Sequence, residues 1–105
     1  MTSIAGLAFV DCSSLTDINI PDGVTKIYCD TFRGCSSLTN VTIPDSVASI
    51  DSYAFRYCTS LADITFDGTK AQWKAIEKGI GWNINAGDFV VRCTDGDLDK
   101  DGNEI

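Results

Sequence analysis

The stretch Cys35-Ser36-Ser37-Leu38 repeats the letters of residues 12–15 and returns, with one exchange, as Cys58-Thr59-Ser60-Leu61. The three tetrapeptides lie 23 residues apart, and the blocks around them align without gaps. Residues 4–26 read IAGLAFVDCSSLTDINIPDGVTK, and residues 27–49 read IYCDTFRGCSSLTNVTIPDSVAS. Residues 50–72 read IDSYAFRYCTSLADITFDGTKAQ and depart only near their end. A fixed period of this length is the mark of a solenoid, because one coil cannot bury its own apolar side while stacked coils bury a continuous column.

The columns say how each coil is built. Ile4, Ile27 and Ile50 align, as do Phe9, Phe32 and Phe55, each Phe following a small residue. The Cys and Leu of the tetrapeptide come next, then the pairs Ile18/Ile20, Val41/Ile43 and Ile64/Phe66. Apolar residues two apart with polar ones between them read as a short half-buried strand. These strands end at Pro21 and Pro44, PDG and PDS follow as turns, and VTKI and VASI alternate again as a second short strand. The Cys of each tetrapeptide is read as a small buried core residue with a free thiol, and the Ser pair as a bend whose hydroxyls satisfy backbone groups. Cys29 falls in a column with Gly6 and Ser52 at a tight corner, and Cys93 lies outside the repeats.

The spaced elements AF, CxSL and IPDxV, as in IPDSVASIDSYAFRYCTSL, resemble the BspA-type leucine-rich repeat over residues 4–66. The following GTKAQWKAIEKGIGWN and VRCTDG resemble the segment that closes such arrays. The resemblance implies an LRR-like solenoid with a terminal cap, a protein that binds rather than catalyses, and a place on the surface of a bacterial cell or outside it.

The cap is also readable directly. Thr69 and Gln72 form the T-x-x-Q capping box of a helix over 70–78, with Gly79 as its stop. Trp73, Ile76 and Ile80 share one face of that helix and cover the third coil, with Trp82 extending the cover. Residues 88–94, DFVVRCT, read as a final strand. The domain is therefore expected over 1–94, with repeats at 4–26, 27–49 and 50–66 and the cap at 67–94. Residues 95–105 are expected to be a solvated acidic tail.

Composition narrows the function. The net charge is −7, of which the tail, with five acids and one lysine, supplies −4. An acidic chain without a basic patch is a poor partner for nucleic acid. No apolar run is long enough for a membrane span. The first residues lack the basic start of a signal peptide, and repeat sequence begins abruptly, as in a piece of a longer exported chain. Histidine is absent, the five cysteines form no CxxC pair, and no nucleophile–base set is evident, so neither an enzyme nor a cofactor is expected. Asp17 and Asp63 share a column two coils apart, with nothing apolar beside them to raise one carboxyl for glycoside chemistry. Asp97, Asp99, Asp101 and Gly102 match the opening of a calcium loop, but the acid at its twelfth position is missing, and no metal is assigned. Asn40-Val41-Thr42 matches the N-glycosylation sequon.

The expected binding face is the polar side of the strands: Asp17, Asn19, Asn40, Thr42, Asp63 and Thr65. The expected partner is a protein or host surface ligand, as in adhesion. A structural spacer or self-assembly module without a ligand is the alternative. A homodimer through the uncapped first coil, with Ile4, Phe9, Leu15, Ile18 and Ile20 on its open side, is a further expectation.

Overall fold

The computed structural model describes residues 3–4, 9 and 11–105. The 23-residue period becomes two parallel ladders. Strands β1 (Ser3–Ile4), β3 (Lys26–Ile27), β5 (Ser49–Ile50) and β7 (Glu77–Lys78) form one sheet in that order. Strands β2 (Asp17–Asn19), β4 (Asn40–Ile43), β6 (Asp63–Phe66), β8 (Val90–Cys93) and β9 (Gly96–Asp99) form the other. All neighbouring strands pair in parallel except β8 and β9, which are antiparallel. Strands of two to four residues suffice because each inner strand bonds to the coil on either side. The chain is an LRR-like solenoid with a C-terminal helix and strand cap.

Phenyl rings run through its core. Phe9 stacks on Phe32 at 5.3 Å between ring centres, and Phe32 on Phe55 at 5.1 Å, with planes 7° apart in each pair. These distances match the spacing of paired strands, about 4.8 Å. Each aromatic pair adds about 0.5–1.5 kcal/mol beyond its buried area. Leu38, Leu61, Val41, Ile64, Ile27 and Ile50 fill the rest of the interior.

The cysteine column does more than fill space. The Cys35 thiol donates to the Phe9 carbonyl at 3.0 Å, and Cys58 to the Phe32 carbonyl at 3.0 Å. Each thiol thus joins its coil to the one before. All five cysteines are free; Cys35 and Cys58 are buried, Cys12 and Cys93 half-buried, and Cys29 exposed at its corner. The serines behave otherwise than expected. Among the described residues their hydroxyls make no hydrogen bond to the turn, which closes through backbone bonds such as Ser36 N to Gly34 O and Leu38 N to Cys35 O.

Each coil turns its corners with left-handed residues. Asp30, Tyr53 and Gly81 occupy one such column, and Asp11, Gly34, Tyr57 and Asn85 the other, all with positive φ. At Gly34 a side chain is also excluded by crowding, since a Cβ would lie 2.2 Å from Asp11 Oδ1.

The cap carries the ladder onward. Helix α1 (Lys70–Ala75) opens with both halves of the Thr69–Gln72 capping box. It stops three residues before the expected end. Ile76 turns extended, and Glu77–Lys78 pair with Ser49–Ile50, 28 positions back, as the next rung of the first sheet. Lys78 Nζ donates to the Trp73 and Ile76 carbonyls at 2.8 and 3.3 Å and so closes the helix end. Gly79 is not a left-handed stop. Its place is set by crowding, since a Cβ there would meet the Ser52 nitrogen at 2.3 Å. Trp73 and Ile76 are buried as expected, whereas Ile80 is 82% exposed because the helical face ends before it. Trp82 meets Phe55 edge-on at 6.1 Å and 82°, which ends the parallel stack, and touches Trp73 and Phe89 at 5.9 and 5.7 Å.

The acidic segment is not wholly a solvated tail. Strand β9 pairs along β8, and Leu98, opposite Val91, is fully buried among four flanking acids. The expected side-chain roles of Ile4 and Gly6 lie outside the described residues, and with Ile4 part of the patch expected to dimerise. Among the described residues no helix is long and apolar enough to cross a membrane.

Phe32→Ala or Leu38→Ala is expected to cost about 2–5 kcal/mol in denaturant melts, and Asn40→Ala on the outer side less than about 0.5 kcal/mol. Equal costs would mean the strand faces are reversed. A pH series tests the thiols. Burial, with the Cys35 charge second, pushes the Cys58 thiol up from 9.0 to about 12. The unfolded thiol ionises first, so this contribution is complete below pH 9.0 and lost as pH rises toward about 12. The urea midpoint should fall across that window less steeply in Cys58→Ala than in the parent.

Candidate functional site

In a sheet with one face buried, alternate residues of every strand face outward, and parallel pairing without slippage sets like residues side by side. The second sheet does this with two outward rows. Asp17 pairs with Asn40, Asn40 with Asp63, Asp63 with Val90 and Val90 with Asp99. Asn19, Thr42, Thr65, Arg92 and Asp97 follow in the second row by the same pairings. Between the rows, Val41, Ile64, Val91 and Leu98 point into the core and are fully buried. All six residues expected on the binding face therefore share one face. Asp17 and Asn19 are exposed, and Asn40, Thr42, Asp63 and Thr65 half-buried by their neighbours in the next coils.

Three features of this face were not expected from the sequence. Arg92 donates through Nε to Asp63 Oδ1 at 2.8 Å and through Nη1 to Asp97 Oδ2 at 3.1 Å, tying the repeat to the hairpin. The strand reading of 88–94 carried the signal, since Val90 and Arg92 alternate with the buried Val91. The Asn40 side-chain oxygen is enclosed without a hydrogen-bond partner, in the middle of the first row. Finally, β9 adds Asp97 and Asp99 to rows that the repeats alone would have ended.

The calcium-loop residues have other tasks. Asp99 accepts the Asp101 and Asn103 N–H groups at 2.9 Å each on one oxygen and the Asn103 side chain at 3.4 Å on the other. These bonds, the Asn103 backbone first, hold its carboxyl below the usual carboxylate range. Asp97 is paired with Arg92, and Asp101 is exposed. No group of three or more His, Cys, Asp or Glu residues among the described residues is arranged to hold a metal ion. Lys70 bonds Glu104 and so pins the chain end to the helix. A cavity of about 340 Å³ lies beside Trp73, Lys78, Trp82 and Lys100. Its Lys78 amine is used on helix carbonyls and its Lys100 amine on Asp88, 3.1 Å away.

Parallel ladders, a 23-residue coil and a continuous polar face define an LRR-like solenoid. The family model described as BspA type leucine rich repeat region (6 copies) matches residues 1–80. The chain belongs to this BspA-type leucine-rich repeat family. It is also similar to a solved leucine-rich cell surface protein of Faecalibacterium prausnitzii A2-165, with 42% identity and a TM-score of 0.71 over 72% of this chain. The match spans 20% of that structure's chain. No curated protein matches.

Calcium is expected to leave the melting temperature unchanged, while Asp99→Ala lowers the stability of the hairpin with or without it. A site saturated a hundredfold above its dissociation constant would add about 2.7 kcal/mol. A calcium-dependent rise that Asp99→Ala abolishes is the contrary result.

Proposed function

We propose that the chain is a binding module of a bacterial surface or secreted protein, and that it engages a protein or host surface ligand through the outer face of its second sheet. One observation carries the reading: five strands in fixed register hold two outward rows of side chains, all of them hydrogen-bonding except Val90, over a rigid core. Solenoids use such extended faces for partners. Rigid placement keeps the ordering cost of association low. Asp17, Asp63, Asp97 and Asp99 outnumber Arg92 on the face, so it favours a ligand with basic groups and an association weakened by salt. The similarity to a cell surface protein supports an extracellular place. Binding is favoured over catalysis because the face offers acceptors in a row and no nucleophile beside a base.

Beads coated with the chain, tested for retention on cultured epithelial cells, examine this reading. The double variant Asp17→Ala/Asn40→Ala should lose at least tenfold in retention, and the turn variant Asp22→Ala should match the parent. Retention unchanged in the double variant would overturn the assignment of this face.

A further inference from the structure

A second face stands apart from the sheet, on the turn-rich side of the coil that joins the two ladders. We propose that Tyr53, Arg56, Tyr57, Ile80 and Ile84 form a docking surface for a protein partner that presents a carboxylate beside apolar surface.

Exposed apolar area is concentrated there. Among the described residues, five large hydrophobic side chains are exposed, and four of them are Tyr53, Tyr57, Ile80 and Ile84. Tyr53, Tyr57 and Ile84 are neighbours across two coils, and Ile80 adjoins Gly81 in the chain. Tyr53 lies over Gly81, where a Cβ would be 2.6 Å from the Tyr53 ring and 3.6 Å from Ile84 Cγ2. The Tyr57 N–H bonds the Ile84 carbonyl at 3.0 Å.

The tyrosines also stand where the fold does not ask for them. Both are left-handed, with φ of 63° and 65°. The same columns carry Asp30 and Gly81, and Asp11, Gly34 and Asn85, all residues that accept this backbone more readily. A bulky aromatic in this conformation is a strained choice, and strain of this kind gathers at functional sites.

Arg56 supplies the chemistry. Its guanidinium carbon lies 5.1 Å from the centre of the Tyr53 ring and 4.7 Å from that of Tyr57, and Nη2 bonds the Tyr57 hydroxyl at 3.2 Å. The Nε–H is enclosed without a partner. No carboxylate among the described residues lies within ion-pairing distance of Arg56; Asp30, whose charge acts on it from farther off, is paired with Arg33 at 3.7 Å. A guanidinium held between two rings, with no carboxylate in contact, is preorganised for one from outside. Tyr and Arg together are the usual anchors of protein interfaces.

Two measurements test the proposal on the full chain. In thermal melts, Tyr53→Asp and Tyr57→Asn, which restore residues used elsewhere in these columns, should melt no lower than the parent. A fall of several degrees in both would make the tyrosines structural and overturn the proposal. A random peptide library displayed on phage is then selected on the immobilised chain. Enriched peptides should carry Asp or Glu next to aromatic or aliphatic residues and lose at least tenfold in affinity on Arg56→Gln and on Tyr57→Asn. Peptides without acidic bias, peptides indifferent to both variants, or no enrichment at all would count against it. Binding to an immobilised glycan array, lost in Tyr57→Asn but kept in Arg56→Gln, would reassign the surface to carbohydrate.

Discussion

Each coil is fixed to the next by the same contact: one phenyl ring laid on another at 5.1–5.3 Å, with a cysteine thiol bonded to the carbonyl of the underlying Phe. This contact tolerates no variation in spacing, because the strands on both sides must keep their hydrogen-bonding distance. The constraint sets where the chain can change. Between β6 and β7 it carries five more residues than between β4 and β5, and all of them are absorbed by α1 without shifting a rung of the ladder. The polar rows inherit the same regularity. Asn40 lies beside Asp17 and Asp63 because Phe32 lies between Phe9 and Phe55.

Ending such a stack requires residues that stop resembling the repeat. Trp82 takes the next place above Phe55 but stands nearly perpendicular to it. Lys78 takes the place opposite Ile50, with its amine 4.7 Å over the Trp73 ring and on helix carbonyls. Burial holds this amine below its ordinary range. The antiparallel β9 then becomes the edge of the second sheet, and the bridge from Leu98 to Glu104 covers part of that edge.

Much of this was legible in the sequence because identical residues serve identical columns. The Phe, Leu and Ile/Val positions declared the core, the alternation around Val41 declared the outer face, and Thr69 with Gln72 declared the helix start. What stayed hidden depended on partners distant in sequence. The helix formers through Lys78 favour helix locally, but pairing with Ser49–Ile50 overrides that preference. Leu98 is one apolar residue among acids, and only the hairpin with Val91 shows why it is there. A thiol reads as a small hydrophobe until the carbonyl of the preceding coil appears beside it. The left-handed columns were hidden, since Tyr53 and Tyr57 stand in them beside Asp30, Asp11 and Gly34.

The cross-coil pairing also bears on how such a chain varies over generations. Bonds between the repeats recur at fixed offsets, as Phe9 N to Thr31 O returns in Phe32 N to Ala54 O and Cys35 to Phe9 in Cys58 to Phe32, so the unit of inheritance is a block of 23 residues and not an individual contact. Excising residues 27–49 would set Ile50 behind Lys26 and lay Phe55 on Phe9, with Asp63 beside Asp17 in the polar row. Duplicating the block would lengthen the row by one rung in the same way. Unequal recombination between repeats of one length and one core pattern therefore has a low structural barrier, and the reach of the polar face becomes a quantity that selection can adjust by counting coils.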